Sequence, residues 1–125
     1  MGAPETGIII VDHGSRRPEA NAMLEAVAQL YRERTGARIV EHAHMELAAP
    51  AIQDAFARCV AQGAERVVVA LFFLSPGRHS ARDIPALVAA AAAQFPSVPY
   101  RLSEPLGVDA RLVDLLQQRV RESSP

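Results

Sequence analysis

The chain has 125 residues, carries 13 basic side chains, all arginine, against 14 acidic ones for a formal net charge of −1, and is 50% hydrophobic. That describes one domain over residues 1–125 with enough apolar material for a core that needs neither disulfides nor a structural metal. The near-neutral balance excludes a dedicated nucleic-acid binder, and the absence of lysine excludes a P-loop nucleotide site, a Schiff base and a lysine general base.

Residues 7–11, Gly-Ile-Ile-Ile-Val, form a continuous β-branched run that predicts a strand covered on both faces of a parallel sheet. It stops at Asp12-His13-Gly14. From Pro18 the pattern is helical, with Met23, Val27, Leu30 and Tyr31 at three- and four-residue steps, Glu19 in the first turn and Gly36 as the terminal cap. Residues 37–44 read as a second strand. Pro50 then opens a helix whose Ile52, Phe56, Cys59 and Val60 share a face before Gly63 ends it.

Residues 66–74 are the most strand-like segment of all. After a loop of Ser, Pro and Gly, a helix over residues 83–95 begins at a capping Asp83 and stops before Pro96. Residues 99–105 are a weaker fourth strand. The last helix, 108–121, is expected to bury Leu112, Leu115, Leu116 and Val120. Four β-then-α units with short connections predict a flavodoxin-like, three-layer α/β domain: a four-stranded parallel sheet with right-handed crossovers and helices on both faces.

Ligands of open parallel sheets bind beyond the carboxyl ends of the strands. Three segments fall there: Asp12-His13-Gly14-Ser15-Arg16-Arg17, His42-Ala43-His44-Met45-Glu46, and residues 75–83, which include Arg78, His79, Arg82 and Asp83. They hold all four histidines of the chain, which together with the Glu46 carboxylate indicate a shared metal or proton-transfer site. Even spacing would project His42, His44 and Glu46 to one side of the sheet. His42, furthest from the strand's end, reads as a solvent-facing residue. Arg16, Arg17, Arg78 and Arg82 flank the two loop histidines, where four guanidinium groups repel unless an anion such as a polycarboxylate joins them.

The His-Gly-Ser-Arg-Arg stretch after the first strand, the Ala-His-Met-Glu-Leu-Ala-Ala-Pro stretch and the Phe-Phe-Leu-Ser-Pro-Gly-Arg-His-x-x-x-Asp-Ile-Pro stretch, in this order, resemble the short class II chelatases. These are sirohydrochlorin chelatases of the CbiX and SirB type, and the similarity runs from Gly7 to about Gly107, looking closest to the plant-type ferrochelatases. The resemblance implies a chelatase-like half unit and a lyase that inserts Fe²⁺ (for sirohaem) or Co²⁺ (for cobalamin) into sirohydrochlorin without ATP. It also implies that His13 and His79 are the metal-handling imidazoles, that Glu46 assists metal binding or removes pyrrole protons, and that His44 is an auxiliary ligand.

Two departures accompany it. No cysteine follows Cys59, so the iron–sulfur cluster of some plant-type members is not expected, and Asp12 stands where many bacterial members have glycine, where it could orient His13. Two other functions compete. A non-catalytic metal carrier would use the same ligands without the arginines. A histidine phosphatase also has His-Gly after its first strand, but preceded by Arg rather than Asp12. A tetrapyrrole is too broad for one face of such a domain, so a homodimer around the substrate is expected. No membrane partner is expected, since no apolar run approaches the ~20 residues of a bilayer span. The lone cysteine suggests a reducing compartment, the cytoplasm or, for a mature plant-type form, the plastid stroma.

Overall fold

The computed structural model describes residues 3–75, 77–123 and 125; the side chains of Arg78, His79 and Ser80 also lie outside the described set. Strands and helices alternate: β1 (Thr6–Asp12), α1 (Pro18–Thr35), β2 (Ile39–His44), α2 (Ile52–Ala61), β3 (Arg66–Leu71), α3 (Arg78–Ala92), β4 (Tyr100–Leu102) and α4 (Ala110–Glu122). The four strands form one parallel sheet in the order β2-β1-β3-β4.

β1 is central, and its unbroken apolar run serves both faces of the sheet. Ile9 and Val11 join Ile39, Ala43, Val67 and Val69 beneath Ile52, Phe56 and Cys59 of α2 and Ile84 and Val88 of α3. Ile10 and Val40 point the other way, onto Leu24 and Ala28 of α1. The parallel α/β sheet with helices on both faces is therefore the architecture expected from the sequence. α2 lies so close to β1 that a Cβ at Gly7 would stand 3.0 Å from Cys59 Sγ.

Five local expectations change. β3 ends three residues early because residues 103–107 take over its edge: Ser103 N–H donates to Val69 O, Leu106 N–H to Phe73 O and Gly107 N–H to Leu74 O. β4 is correspondingly short. α3 starts at Arg78 rather than Asp83, capped by the extended backbone of Gly77, so the Asp-x-Pro sequence that resembles a helix start lies inside the helix with Pro85. In α1 the buried residues are Leu24 and Ala28; Met23 and Leu30 are exposed, and Val27 and Tyr31 are half-buried.

The largest change concerns α4, of which no residue is buried; Val113, Leu115, Leu116 and Val120 are exposed instead of packed. Pairing of residues 103–107 with the segment after β3 carries the chain past the carboxyl edge before α4 begins. An apolar groove of about 260 Å³ therefore stays open beside α1, lined by Ile10, Val27, Tyr31, Ala70, Phe72 and Leu106 among others. No helix among the described residues is long and apolar enough to cross a membrane.

Candidate functional site

The carboxyl edge is organised by β1 and its two neighbours. His13 directly follows β1, is exposed, and meets buried Phe73, just beyond β3, edge-on with ring centroids 4.4 Å apart. The turn after it is tied to α1: Ser15 N–H donates to Asn21 Oδ1 at 2.9 Å, Asn21 Nδ2 donates to Ser15 O at 2.7 Å, and Arg17 N–H donates to Ser15 Oγ at 3.0 Å. This leaves Arg16 and Arg17 exposed beside His13. Neither they nor Arg82, exposed on α3, form an ion pair with another described residue.

The β1–β2 ladder continues beyond the strands. Met45 N–H donates to Asp12 O at 2.8 Å and Glu46 N–H to His13 O at 3.1 Å, so the proposed carboxylate and the first histidine are joined through their backbones. Exposed Glu46 lines an open cleft of about 320 Å³ with Met45, Asp83, Ala86 and Leu87. Half-buried Asp83, expected both as a helix cap and as part of the third edge segment, is thereby a second carboxylate lining the same cleft as Glu46. Its signal was present, since α3 must lie over the end of β3 if the third motif is to reach the site.

His44 sits opposite Asp12 in the ladder and is 1% exposed. Its Nδ1 lies 2.6 Å from Asp12 Oδ1. Asp12 thus accepts from His44 rather than orienting His13, a correction that follows from strand register. His42 shares that side, its ring 5.9 Å from His44 in a T-shaped contact, and burial holds its pKa below the usual histidine value. It lines a cleft with Glu25, Gln29 and Arg32 of α1, away from the edge where His13 and Glu46 meet. The even spacing of His42, His44 and Glu46 does not put all three together, because β2 ends at His44 and the chain turns, with Leu47 at φ 72° and a cis Ala49–Pro50 peptide.

His79 and Arg78 belong by backbone to the first turn of α3, but both side chains lie outside the described residues. Among the described residues no group of three or more His, Cys, Asp or Glu side chains is arranged to hold a metal ion. Apolar side chains surround the edge: Leu47, Phe72, Leu74, Leu87 and Leu106 are all exposed.

The CbiX family model matches residues 7–123. The chloroplastic sirohydrochlorin ferrochelatase of Arabidopsis thaliana is 56% identical over 115 residues, which cover 92% of this chain and 51% of that protein. The crystal structure of the CbiX protein of Marinobacter aquaeolei VT8 is 32% identical with a TM-score of 0.79, covering 94% of this chain and 95% of that one. The sirohydrochlorin chelatase SirB of Bacillus subtilis subspecies spizizenii, in complex with cobalt, is 30% identical with a TM-score of 0.88, covering 95% of this chain and 51% of that one. The chain spans about half the length, or less, of several of the curated relatives it matches. With the family model spanning nearly every residue and the same fold in these structures, the chain belongs to the CbiX family.

Proposed function

We propose that the chain inserts a divalent metal into sirohydrochlorin without ATP, with His13 and His79 holding the incoming ion and Glu46 completing the site or taking protons. The observation that supports this most is the backbone bond from Glu46 N–H to His13 O, which joins the two residues that carry the carboxylate and the imidazole at an edge where Arg16, Arg17 and several apolar side chains are exposed. The names of the Arabidopsis and Bacillus relatives support the substrate class.

The chemistry suits these groups. Insertion replaces two pyrrole N–H bonds by metal–nitrogen bonds and releases two protons, which an imidazole near neutral pH or a carboxylate accepts. Two imidazoles and one carboxylate leave coordination positions for the ring nitrogens. Imidazole and carboxylate bind iron, cobalt and nickel alike, so the ligand types do not select among these metals. The substrate's rim carboxylates match Arg16, Arg17, Arg78 and Arg82, whose planar forks bind carboxylates in pairs of hydrogen bonds. Exposed Leu74 and Leu47 offer an apolar surface for the macrocycle face.

Mixing the protein with sirohydrochlorin and Fe²⁺ or Co²⁺ tests the reading through the Soret and Q-band absorbance. A shift accelerated by wild type and lost in His13→Ala is expected. Metal binding without acceleration would leave a carrier, and no effect of either metal would overturn the proposal. The reading implies the cytoplasm, or the plastid stroma for a plant-type form, in keeping with the chloroplastic relative.

We also propose that the chain works as a homodimer in which each α4 covers the partner's open groove. One chain presents both an unburied apolar helix face and an apolar groove where a layer is missing, and a two-fold exchange satisfies both at once. Relatives both of this length and of about twice it share the fold, as expected if two such units build the working molecule. Light scattering should give twice the chain mass. Mixing chains carrying Leu116→Cys with chains carrying Val27→Cys should yield a mixed disulfide dimer. A monomer mass, or a dimer without that cross-link, would count against the exchange.

A further inference from the structure

We infer that Asp12 and His44 form a positioning pair, fixing the spacing of His13 and Glu46 from behind the sheet while neither side chain enters the site. What the spacing serves rests on the proposed metal insertion; the pair itself rests on geometry alone.

His44 is the one buried polar or charged residue among those described. A buried imidazole is costly unless its nitrogens are bonded, and the Asp12 contact of 2.6 Å meets that need at Nδ1. An ionised carboxylate only accepts hydrogen bonds, so Nδ1 of His44 carries the proton and the ring has one orientation. The two residues face each other across the β1–β2 ladder, on the side where Ile10 and Val40 pack against α1. The first residue after β1 is His13, whose ring turns the opposite way, onto Phe73 of the α2–α3 core. Glu46 likewise lines the cleft toward α3.

Three backbone bonds that tie this edge together involve the pair or the residues next to it. Met45 N–H donates to Asp12 O, Glu46 N–H to His13 O, and His44 N–H to Pro50 O at 2.9 Å, which closes the loop carrying Glu46. The turn after His13 also rests on His44, since a Cβ at Gly14 would stand 3.0 Å from His44 Cβ. A shift of His44 is therefore transmitted to both His13 and Glu46. The ring's burial argues that it acts through these neighbours and not as a ligand.

Three variants test the inference. His44→Phe keeps an aromatic ring, somewhat larger than imidazole, and loses the Nδ1 donor, His44→Asn restores an N–H near the Nδ1 position, and Asp12→Ala removes the acceptor. The readouts are hydrogen exchange of the Met45 and Glu46 amides, affinity for Co²⁺ alone, and kcat against KM for sirohydrochlorin. His44→Phe should speed exchange of both amides about tenfold relative to β3, and weaken Co²⁺ binding and kcat about tenfold, the low end for groups that orient ligands. KM should stay within twofold. His44→Asn should recover most of each loss, and Asp12→Ala combined with His44→Phe should be little worse than either alone.

Unchanged Met45 and Glu46 exchange in His44→Phe would overturn the inference, as would losses spread evenly over the sheet with kcat per folded molecule intact. Recovery of exchange but not of Co²⁺ affinity in His44→Asn would show His44 to be a ligand instead. A wild type that neither binds Co²⁺ nor inserts metal would end the chelatase reading, and the exchange measurements would still decide the pair.

Discussion

A Cβ placed on Gly14 would stand 1.9 Å from the backbone carbonyl oxygen of Glu46. The two residues are 32 apart in sequence, yet the turn after His13 can pass over the Glu46 backbone only because position 14 has no side chain. Gly14 also has φ 91°, a conformation L residues rarely adopt. Gly14→Ala should therefore lose about 2–4 kcal/mol of stability from combined strain and overpacking. It should also impair metal insertion more than its folded fraction explains, because relief of the clash displaces Glu46 or His13. Urea unfolding and activity per folded molecule check both statements; an unshifted midpoint would mean the turn rearranges freely.

The proposed sharing of one ion predicts that substitutions at His13 and His79 do not add. β1 and β3 are neighbours, and Phe73 after β3 already touches His13, so the segment leading to His79 begins beside the first histidine. His13→Ala and His79→Ala should each remove most of the rate enhancement, and the double variant should be little worse than either. A double-mutant cycle on insertion at saturating and at limiting Co²⁺ measures this. Full additivity under both conditions would rule out a shared ion.

Arg16, Arg17 and Arg82 lie exposed near the same edge without ion-pair partners among the described residues, as clamps awaiting an anion would. Replacing each of these, or Arg78, by Ala should raise KM for sirohydrochlorin several-fold and change kcat little, since rim contacts act equally in ground and transition states. Steady-state kinetics of the four single variants, repeated at high salt, provide the check. Four unchanged KM values would reduce the cluster to a solvated surface.

Acid sensitivity has an identifiable contributor in His42. Burial lowers its pKa, reinforced by His44 and Arg32 and opposed by Glu25 and Glu41. The folded chain thus binds fewer protons at this position than the unfolded chain. Its contribution to stability is complete above the unfolded value of about 6.5 and is lost as pH falls toward the lower folded value. His42→Gln should flatten the decline of Tm between about pH 6.5 and pH 5 relative to wild type. An identical slope in the two proteins would assign the acid sensitivity to other groups.

The order of elements, the parallel sheet and the three chemistry-bearing loops were all legible locally. A run such as Ile8-Ile9-Ile10-Val11 has few places to go except the centre of a covered sheet, and Gly36 ends α1 in the left-handed conformation a helix stop requires. His13 and Glu46 stand out in the sequence because both sit where strands give way to loops at the carboxyl edge, where ligands of parallel sheets bind.

Tertiary structure alone decided the rest. Asp12 could reach His13 or His44, and only the β1–β2 register, set by the pairing of whole strands, made His44 its partner. Even spacing along residues 42–46 suggested one shared face, but periodicity lasts only as long as the strand, and β2 stops at His44. Asp83 reads locally as a cap, but the helix starts at Arg78, five residues upstream, and Asp83 lines the cleft that Glu46 also lines. In α4 the amphipathic pattern correctly says that Leu112, Leu116 and Val120 belong on one apolar face. Hydrophobic pattern reports that a face favours burial and carries no information about which surface covers it; here the path of residues 103–107 past the edge of β3 keeps that face off its own sheet.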